Sequence, residues 1–415
     1  MNSSVMYWLW LATRKGMTPQ LGRELFHAYE DSIEKLYLAQ KQSLSSFGLK
    51  PEIVKALENK SLDIPQKLLE DCNKYHQSII TYQDAIYPQK LKELINPPLL
   101  LYAKGNLPLI DETLSLCMVG AREASPYGVY EATEIALTLA SAGVLLVTGM
   151  AQGIDTAVVQ GALKSGKPLV SVVAGGMDKI YPKQNKFLYE DVASIGVLLS
   201  EYPPESEHHK THFRPRNRIL CGLSDGVMIV ECLRRGGTMM TAQIAEEQQR
   251  DLFALPASIR SPLSEGPHQL IKNNQAQLVT CGEDILHFYQ NRYPLLRQPL
   301  SKDKRLQRVK DANGHSTMTE KKKSPVQTPK EKEIRTVESE NIIPVSKQKS
   351  LFTDDQITLL HTLGEEEMAM DILVEKSQIP AKRTLSAMTL LEMGGQVKEV
   401  SSGRFQSMVR LKKSQ

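Results

Sequence analysis

At 415 residues the chain is long enough for two or more domains and a sizeable core. Its hydrophobic fraction of 41% and charged fraction of 24% are ordinary for a soluble protein, and no apolar run approaches the roughly 18 to 20 residues of a membrane span. A net charge of only +4 excludes a globally basic protein, so any grip on nucleic acid must come from local clusters of Lys and Arg. The cysteines (Cys72, Cys117, Cys221, Cys232, Cys281) are odd in number and lack CxxC spacing, which points to reduced thiols in a cytoplasmic protein rather than to disulfides or zinc ligands.

The opening run VMYWLWLA has neither a preceding basic region nor a small-residue cleavage site, so it reads as the buried face of a first helix and not as a signal peptide. Residues 1–80 form a small helical domain of the SAM or helix-hairpin-helix kind. Apolar positions recur at helical spacing through Leu21, Leu25, Phe26 and again through Ile53, Val54, Leu57. Thr18-Pro19 supplies a cap and first turn, and Gly48 with Pro51 brackets another start.

Residues 81–295 change to alternating strand and helix. Apolar runs LCMVG, VLLVTG, PLVSVVAGG, VLLSEY, GVMIVE and DLFALPA are separated by helix-length segments such as YGVYEATEIALTLASAG. This pattern predicts an α/β domain, a Rossmann-like parallel sheet with helices on both faces. Ligands bind such sheets beyond the C-terminal strand ends. Four loops expected there are rich in glycine, and three carry Arg or Lys: Gly120 to Pro126, Gly149 to Gly153, Gly175 to Lys186, and Arg234 to Thr238. Ser125 and Thr238 are read as helix caps, which leaves Arg122 beside an anion-ready helix start.

Residues 296–350 are rich in Lys, Ser, Thr, Gln and Pro and read as a disordered basic linker. Residues 351–415 read as three helices and a wing with a hairpin around Gly403, a winged-helix-like domain. Its third helix has apolar spacing at Leu385, Met388 and Leu391, ends at Gly394-Gly395, and carries few cations beyond Lys382 and Arg383, which leaves both DNA and protein contact open.

Several motifs are excluded on physical grounds. GALKSGKP at 161–168 nearly spells a phosphate loop, but Pro168 has no hydroxyl for magnesium and the segment ends a helix instead of following a strand. No GxGxxG follows the first strand of the sheet, and GxSxG is absent, so no cofactor and no hydrolase elbow are expected. His208, His209 and His212 lack the companions of a metal site, and Asp155, Asp178 and Glu201 form no acid–base pair; their expected work is capping, or orienting a loop arginine. No catalytic residue is assigned.

On these loops the chain resembles the DNA-processing protein A (DprA/Smf) family. The matching motifs are VGAREASPYG at 119–128, TGMAQGIDTA at 148–157, GGMDKIYPKQN at 175–185, LLSEYPP at 198–204, RNRILCGLSD at 216–225 and GGTMMTA at 236–242. They stand in the family's order and spacing over about 82–285. The resemblance implies a non-enzymatic homodimer that binds single-stranded DNA and passes it to RecA recombinase during natural transformation. It implies a DNA groove lined by Arg122, Lys183, Lys210, Phe213, Arg216 and Arg218, to which Gly120, Ser125, Asn185, Lys186, Asn217, Gly236, Gly237, Thr238 and Thr241 are added as candidate contacts. Gln152 stands where members carry Arg, and Val159-Gln160 where they carry His–Arg. The competing reading is a nucleoside monophosphate hydrolase of the lysine-decarboxylase-like type, whose motif places a glutamate soon after the glycines; here the first acids come at Glu246-Glu247.

Overall fold

The computed structural model describes residues 3–294, 342–343, 352–364, 367–393, 396–401, 404–407 and 409–411. Residues 296–350, apart from that short pair, and Gly394, Gly395 and Gly403 therefore lie outside the described residues. The chain divides into two compact units, Met1–Ser316 and Thr317–Gln415.

In the first unit, six helices come first: α1 (Ser3–Ala12), α2 (Pro19–Ala28), α3 (Ile33–Leu38), α4 (Lys41–Ser45), α5 (Pro51–Glu58) and α6 (Asp63–Lys74). Thr18 caps α2 by accepting the Leu21 amide, and Pro19 and Pro51 occupy first-turn positions that need no donor. Helix α1 is not amphipathic: Trp8, Leu9, Trp10 and Leu11 are all fully buried. A helix apolar on every side must be surrounded, and α1 packs against α3, α6 and the first two strands of the sheet. Trp8 Nε1 donates to Gln83 Oε1 at 3.1 Å, and Trp10 Nε1 to the Asn59 carbonyl at 2.7 Å. The helices and the sheet share one hydrophobic core running from Trp8 to Tyr289.

One residue in this core is chemically out of place. The Lys60 ammonium is buried without a hydrogen-bond partner, 4.7 Å from the Trp10 ring centre and 5.5 Å from that of Tyr37. Burial pulls its pKa down to about 8. A lysine depressed in the folded state contributes stability above its unfolded pKa and loses it as pH falls through the folded value. Lys60→Met is therefore expected to stabilise the protein at pH 7 by on the order of 1 kcal/mol, after discounting for solvent screening. Urea unfolding should show that gain shrinking between about pH 8 and pH 10; a gain independent of pH would refute the assignment.

The sheet of the first unit is nine-stranded among the described residues: β1 (Ser78–Thr81), β2 (Leu100–Gly105), β3 (Ser115–Val119), β4 (Leu145–Thr148), β5 (Leu169–Val173), β6 (Val197–Ser200), β7 (Gly226–Ile229), β8 (Asp251–Ala254) and β9 (Gln277–Leu278). The spatial order is β1-β2-β6-β5-β4-β3-β7-β8-β9. Strands β3 to β9 are parallel, and β1 and β2 add an antiparallel edge. Each of the six apolar runs read from the sequence is a strand of the parallel part, with β3 to β7 buried along their length as strands covered on both faces must be. The helices are α7 (Gln89–Lys92), α8 (Pro126–Ser141), α9 (Ile154–Lys164), α10 (Lys186–Ile195), α11 (Phe213–Gly222), α12 (Gly237–Glu247), α13 (Glu265–Lys272) and α14 (Gly282–Tyr289). Helices α8, α9 and α10 pack in sequence on one face, and α11 with α12 on the other. The order reverses between β3 and β7, so the loops leaving these two strands flank the topological switch point.

The second unit contains α15 (Asp354–Leu363), α16 (Met370–Ser377) and α17 (Ala381–Met393), with short strands β10 (Met368–Ala369), β11 (Val397–Ser401) and β12 (Arg404–Ser407) in the antiparallel order β10-β12-β11. Strands β11 and β12 are the expected wing, and Met388 and Leu391 of α17 are buried with Leu359, Leu363 and Leu373. Arg383 is engaged: its guanidinium grips Asp355 with bonds of 2.9 and 2.7 Å. No described helix is long and apolar enough to cross a membrane.

Candidate nucleic-acid interface

The four glycine-rich loops do converge beyond the C-terminal ends of β3, β4, β5 and β7. The β3–α8 loop is held at three points. Thr238 Oγ1 donates to the Gly120 carbonyl at 3.1 Å, and the Ile154 amide donates to that of Ala121 at 3.1 Å. The third point is Ser125, whose amide donates to Glu231 Oε2 at 2.9 Å and whose hydroxyl donates to Glu231 Oε1 at 2.5 Å. Gly153, at φ 81°, lets the β4–α9 loop press against this one, since a Cβ there would lie 2.3 Å from the Ala121 oxygen.

Ser125 caps α8 as read from the sequence, accepting the Gly128 amide at 3.0 Å. The start of α8 is not open to an outside anion, however, because the buried Glu231 carboxylate already sits there. Thr238 is not a cap. Helix α12 begins one residue earlier, at Gly237, with Gly236 as its cap and no capping side chain. The consecutive glycines let the chain turn at φ 156°, and the Thr238 hydroxyl is spent on Gly120. Both glycines are exposed, with nothing near a notional Cβ on either.

The arginines of α11 divide sharply. Arg216 is 5% exposed. It donates to the Gly149 carbonyl at 2.7 Å and to that of Val172, closing the ends of β4 and β5, and its Nε donates to Asn217 at 3.2 Å. Asp155 is buried beside it: a Cβ on Gly149 would lie 2.5 Å from Arg216 Nη1 and 2.6 Å from Asp155 Oδ2. Burial raises the Asp155 pKa, against the pull of Arg216 and the amides of Ala151 and Gly149. Arg218 pairs with Glu201 at 2.6 Å, both partners largely buried. Asn217 donates to Thr241 Oγ1 at 2.9 Å, and Asn185 donates to the Met150 carbonyl at 3.0 Å and to Thr156 Oγ1 at 2.9 Å. Arg216, Asn217, Asn185 and Thr241 are thus buried struts of the edge, not parts of its surface.

The exposed members are Arg122, Lys183, Lys186 and Lys210, joined by Arg214, Arg234 and Arg235. Among the described residues none of these is ion-paired. Phe213, half-buried, carries the Arg122 guanidinium 4.6 Å from its ring centre and that of Arg216 at 5.7 Å. Tyr181, 43% exposed, meets Phe213 edge-on at 6.1 Å and stacks on His208 at 5.4 Å. The histidines serve the loops: His208 contacts the Lys179 carbonyl at 2.6 Å, and His212 stacks on Tyr202 at 3.9 Å. Burial lowers the His208 pKa. Two residues of this edge escaped the sequence reading. Tyr181 was visible as the aromatic inside YPKQN, and Glu231 as a carboxylate directly after an apolar strand.

A model of the family described as DNA recombination-mediator protein A matches residues 78–290, just over half of the chain. The chain belongs to this family. A model of the DprA winged helix domain matches residues 346–403. The DNA processing protein DprA of Streptococcus pneumoniae is 40% identical over 203 residues, which cover 49% of this chain and 71% of that relative. Protein Smf of Synechocystis is 32% identical over 291 residues, 69% of this chain and 72% of the relative. The X-ray structure of the pneumococcal protein superposes with a TM-score of 0.61 at 31% identity, covering 68% of this chain and 97% of that one.

Proposed function

We propose that this protein binds single-stranded DNA along the C-terminal edge of its sheet, as a homodimer in the cytoplasm, and hands the strand to RecA recombinase without itself catalysing a reaction. The observation that carries the reading is the run of exposed, unpaired cations, Arg122, Lys183, Lys186, Lys210 and Arg214, around the ring pair Phe213–Tyr181. Spaced cations suit successive phosphates, and rings suit unstacked bases. Four acids of the edge are already engaged: Glu231 by Ser125, Asp155 by the Ala151 amide, Asp178 by the Glu205 amide and Glu201 by Arg218. The exposed Glu123 precedes α8, whereas the turn at Gly236 and Gly237 has no acid after it before Glu246. That disfavours the hydrolase alternative, which needs a carboxylate free to activate water. A nucleoside monophosphate panel that released free base would revive it. The helical region 1–80, the basic linker 296–350 and the winged-helix-like region 351–415 serve as accessory parts. With Arg383 committed to Asp355, the last of these suits protein contact better than base reading.

A salt titration of oligo-dT binding tests the proposal. Five phosphate contacts would give a log–log slope of about −3.5, and Arg122→Ala should reduce its magnitude by about 0.7. Matched duplex should bind more weakly throughout. Equal affinity for duplex, or an unchanged slope in Arg122→Ala, would refute it.

A further inference from the structure

In the sequence Glu231 is only the end of a strand, yet the fold buries it at the edge with both carboxylate oxygens bound. It follows β7 at the topological switch point and is 1% exposed. Both oxygens are bound by Ser125, at 2.9 and 2.5 Å. Gly128, in the first turn of α8, has no side chain because the carboxylate needs that space: a Cβ there would lie 2.3 Å from Glu231 Oε2. Pro126 has no amide and the Gly128 amide is bound by Ser125 Oγ. The positive end of this sixteen-residue helix therefore meets the carboxylate through the Ser125 amide and hydroxyl, at the place where nucleotide-binding α/β folds seat a phosphate. In this chain a side chain fills that seat.

We propose that Glu231 is a positioning residue for DNA binding: by occupying the phosphate seat of α8 it fixes the Arg122 loop against Phe213 and closes the switch point to a single nucleotide phosphate. The inference rests on the single-strand reading of the edge. Ser125 is three residues from Arg122, and the loop's two other anchors, at Gly120 and Ala121, lie on its far side. Releasing Ser125 therefore frees the half of the loop that aims the guanidinium, while the core strands β3 and β7 stay paired through their backbone.

The test is oligo-dT binding by the full chain carrying Glu231→Ala, Arg122→Ala or both. If Glu231 acts through Arg122, each single variant weakens binding by about 10-fold and the double variant is no weaker than Arg122→Ala alone. Acetate, supplied against chloride at constant ionic strength, can refill the seat. It should restore Glu231→Ala to within about 3-fold of wild type and leave Arg122→Ala unchanged. Additive losses, or no recovery with acetate, would mean that Glu231 merely supports the fold and would overturn the proposal. So would wild-type affinity in Glu231→Ala. If Glu231→Ala does not fold, the single and double variants are compared with Glu231→Gln instead, which keeps the packing and loses the charge. Its side chain still fills the seat, so the coupling with Arg122→Ala decides without acetate. If Arg122→Ala binds like wild type, the single-strand reading itself fails. Hydrogen exchange at the Ser125 amide then decides: faster exchange in Glu231→Gln retains the loop-holding role, and unchanged exchange removes it.

Discussion

Arg216→Ala is expected to lower the melting temperature of the first unit by on the order of 10 °C, because removing one partner of a buried charged network costs about 3–5 kcal/mol. Two strand-end carbonyls, Gly149 and Val172, lose their donor, and Asp155 keeps a buried carboxylate without the guanidinium that offsets its burial. The effect should depend on pH. The Asp155 pKa is already raised by burial, so its contribution is fully present below the unfolded carboxyl value and is lost as pH rises through the folded one. Without Arg216 that loss deepens, and the gap between wild type and variant should widen from about pH 4 to pH 7. Calorimetry at both pH values checks this; a variant as stable as wild type at pH 7 would show that the strand ends do not need the arginine.

Phe213→Ala is expected to weaken oligo-dT binding by about 5- to 150-fold, the range that corresponds to roughly 1–3 kcal/mol for loss of one base–aromatic stack. Its signature differs from that of Arg122→Ala. The ring neutralises no phosphate, so the salt slope should stay at the wild-type value while the affinity falls at every salt concentration. Phe213→Tyr keeps the π-face and should bind nearly as wild type. Because Arg122 lies over this ring, a small drop in slope would show that the ring also holds the guanidinium in place. Unchanged affinity in Phe213→Ala would remove base stacking from the edge.

The parallel part of the sheet was legible because strands buried on both faces must be continuous apolar runs, and GVMIVE or VLLVTG can be little else. Strands β1 and β2 were not: SIIT is short and follows a helix, LLYAKG follows a proline pair, and neither sits in a β–α repeat. Family resemblance and local chemistry together picked out the loops that gather at the C-terminal edge of the sheet but could not sort their residues into surface and interior. RPRNR reads as one basic cluster. Folded as helix α11, Arg214 and Arg218 fall on one side, and Arg216, two residues from each, turns inward. What buries it is a pair of carbonyls at Gly149 and Val172, 67 and 44 residues away, and no local pattern records such partners. Thr238 failed as a cap for a related reason: its hydroxyl found a carbonyl 118 residues away.

Helix α1 has a consequence for how this protein can be taken apart. Trp8 and Trp10 bury on the order of 150–250 Å² each, and part of what covers α1 is β1 and β2. Residues 78–81 are themselves a strand, so a cut at residue 80 would pass through the sheet. A fragment ending there would bare the Trp8 indole, which packs on Tyr82 and donates to Gln83, and one starting there would display the apolar floor on which it lay. Protease nicking and thermal melting should accordingly treat the helices and the sheet as one cooperative body, and an isolated sheet fragment that failed to bind DNA would report misfolding before it reported a missing contact.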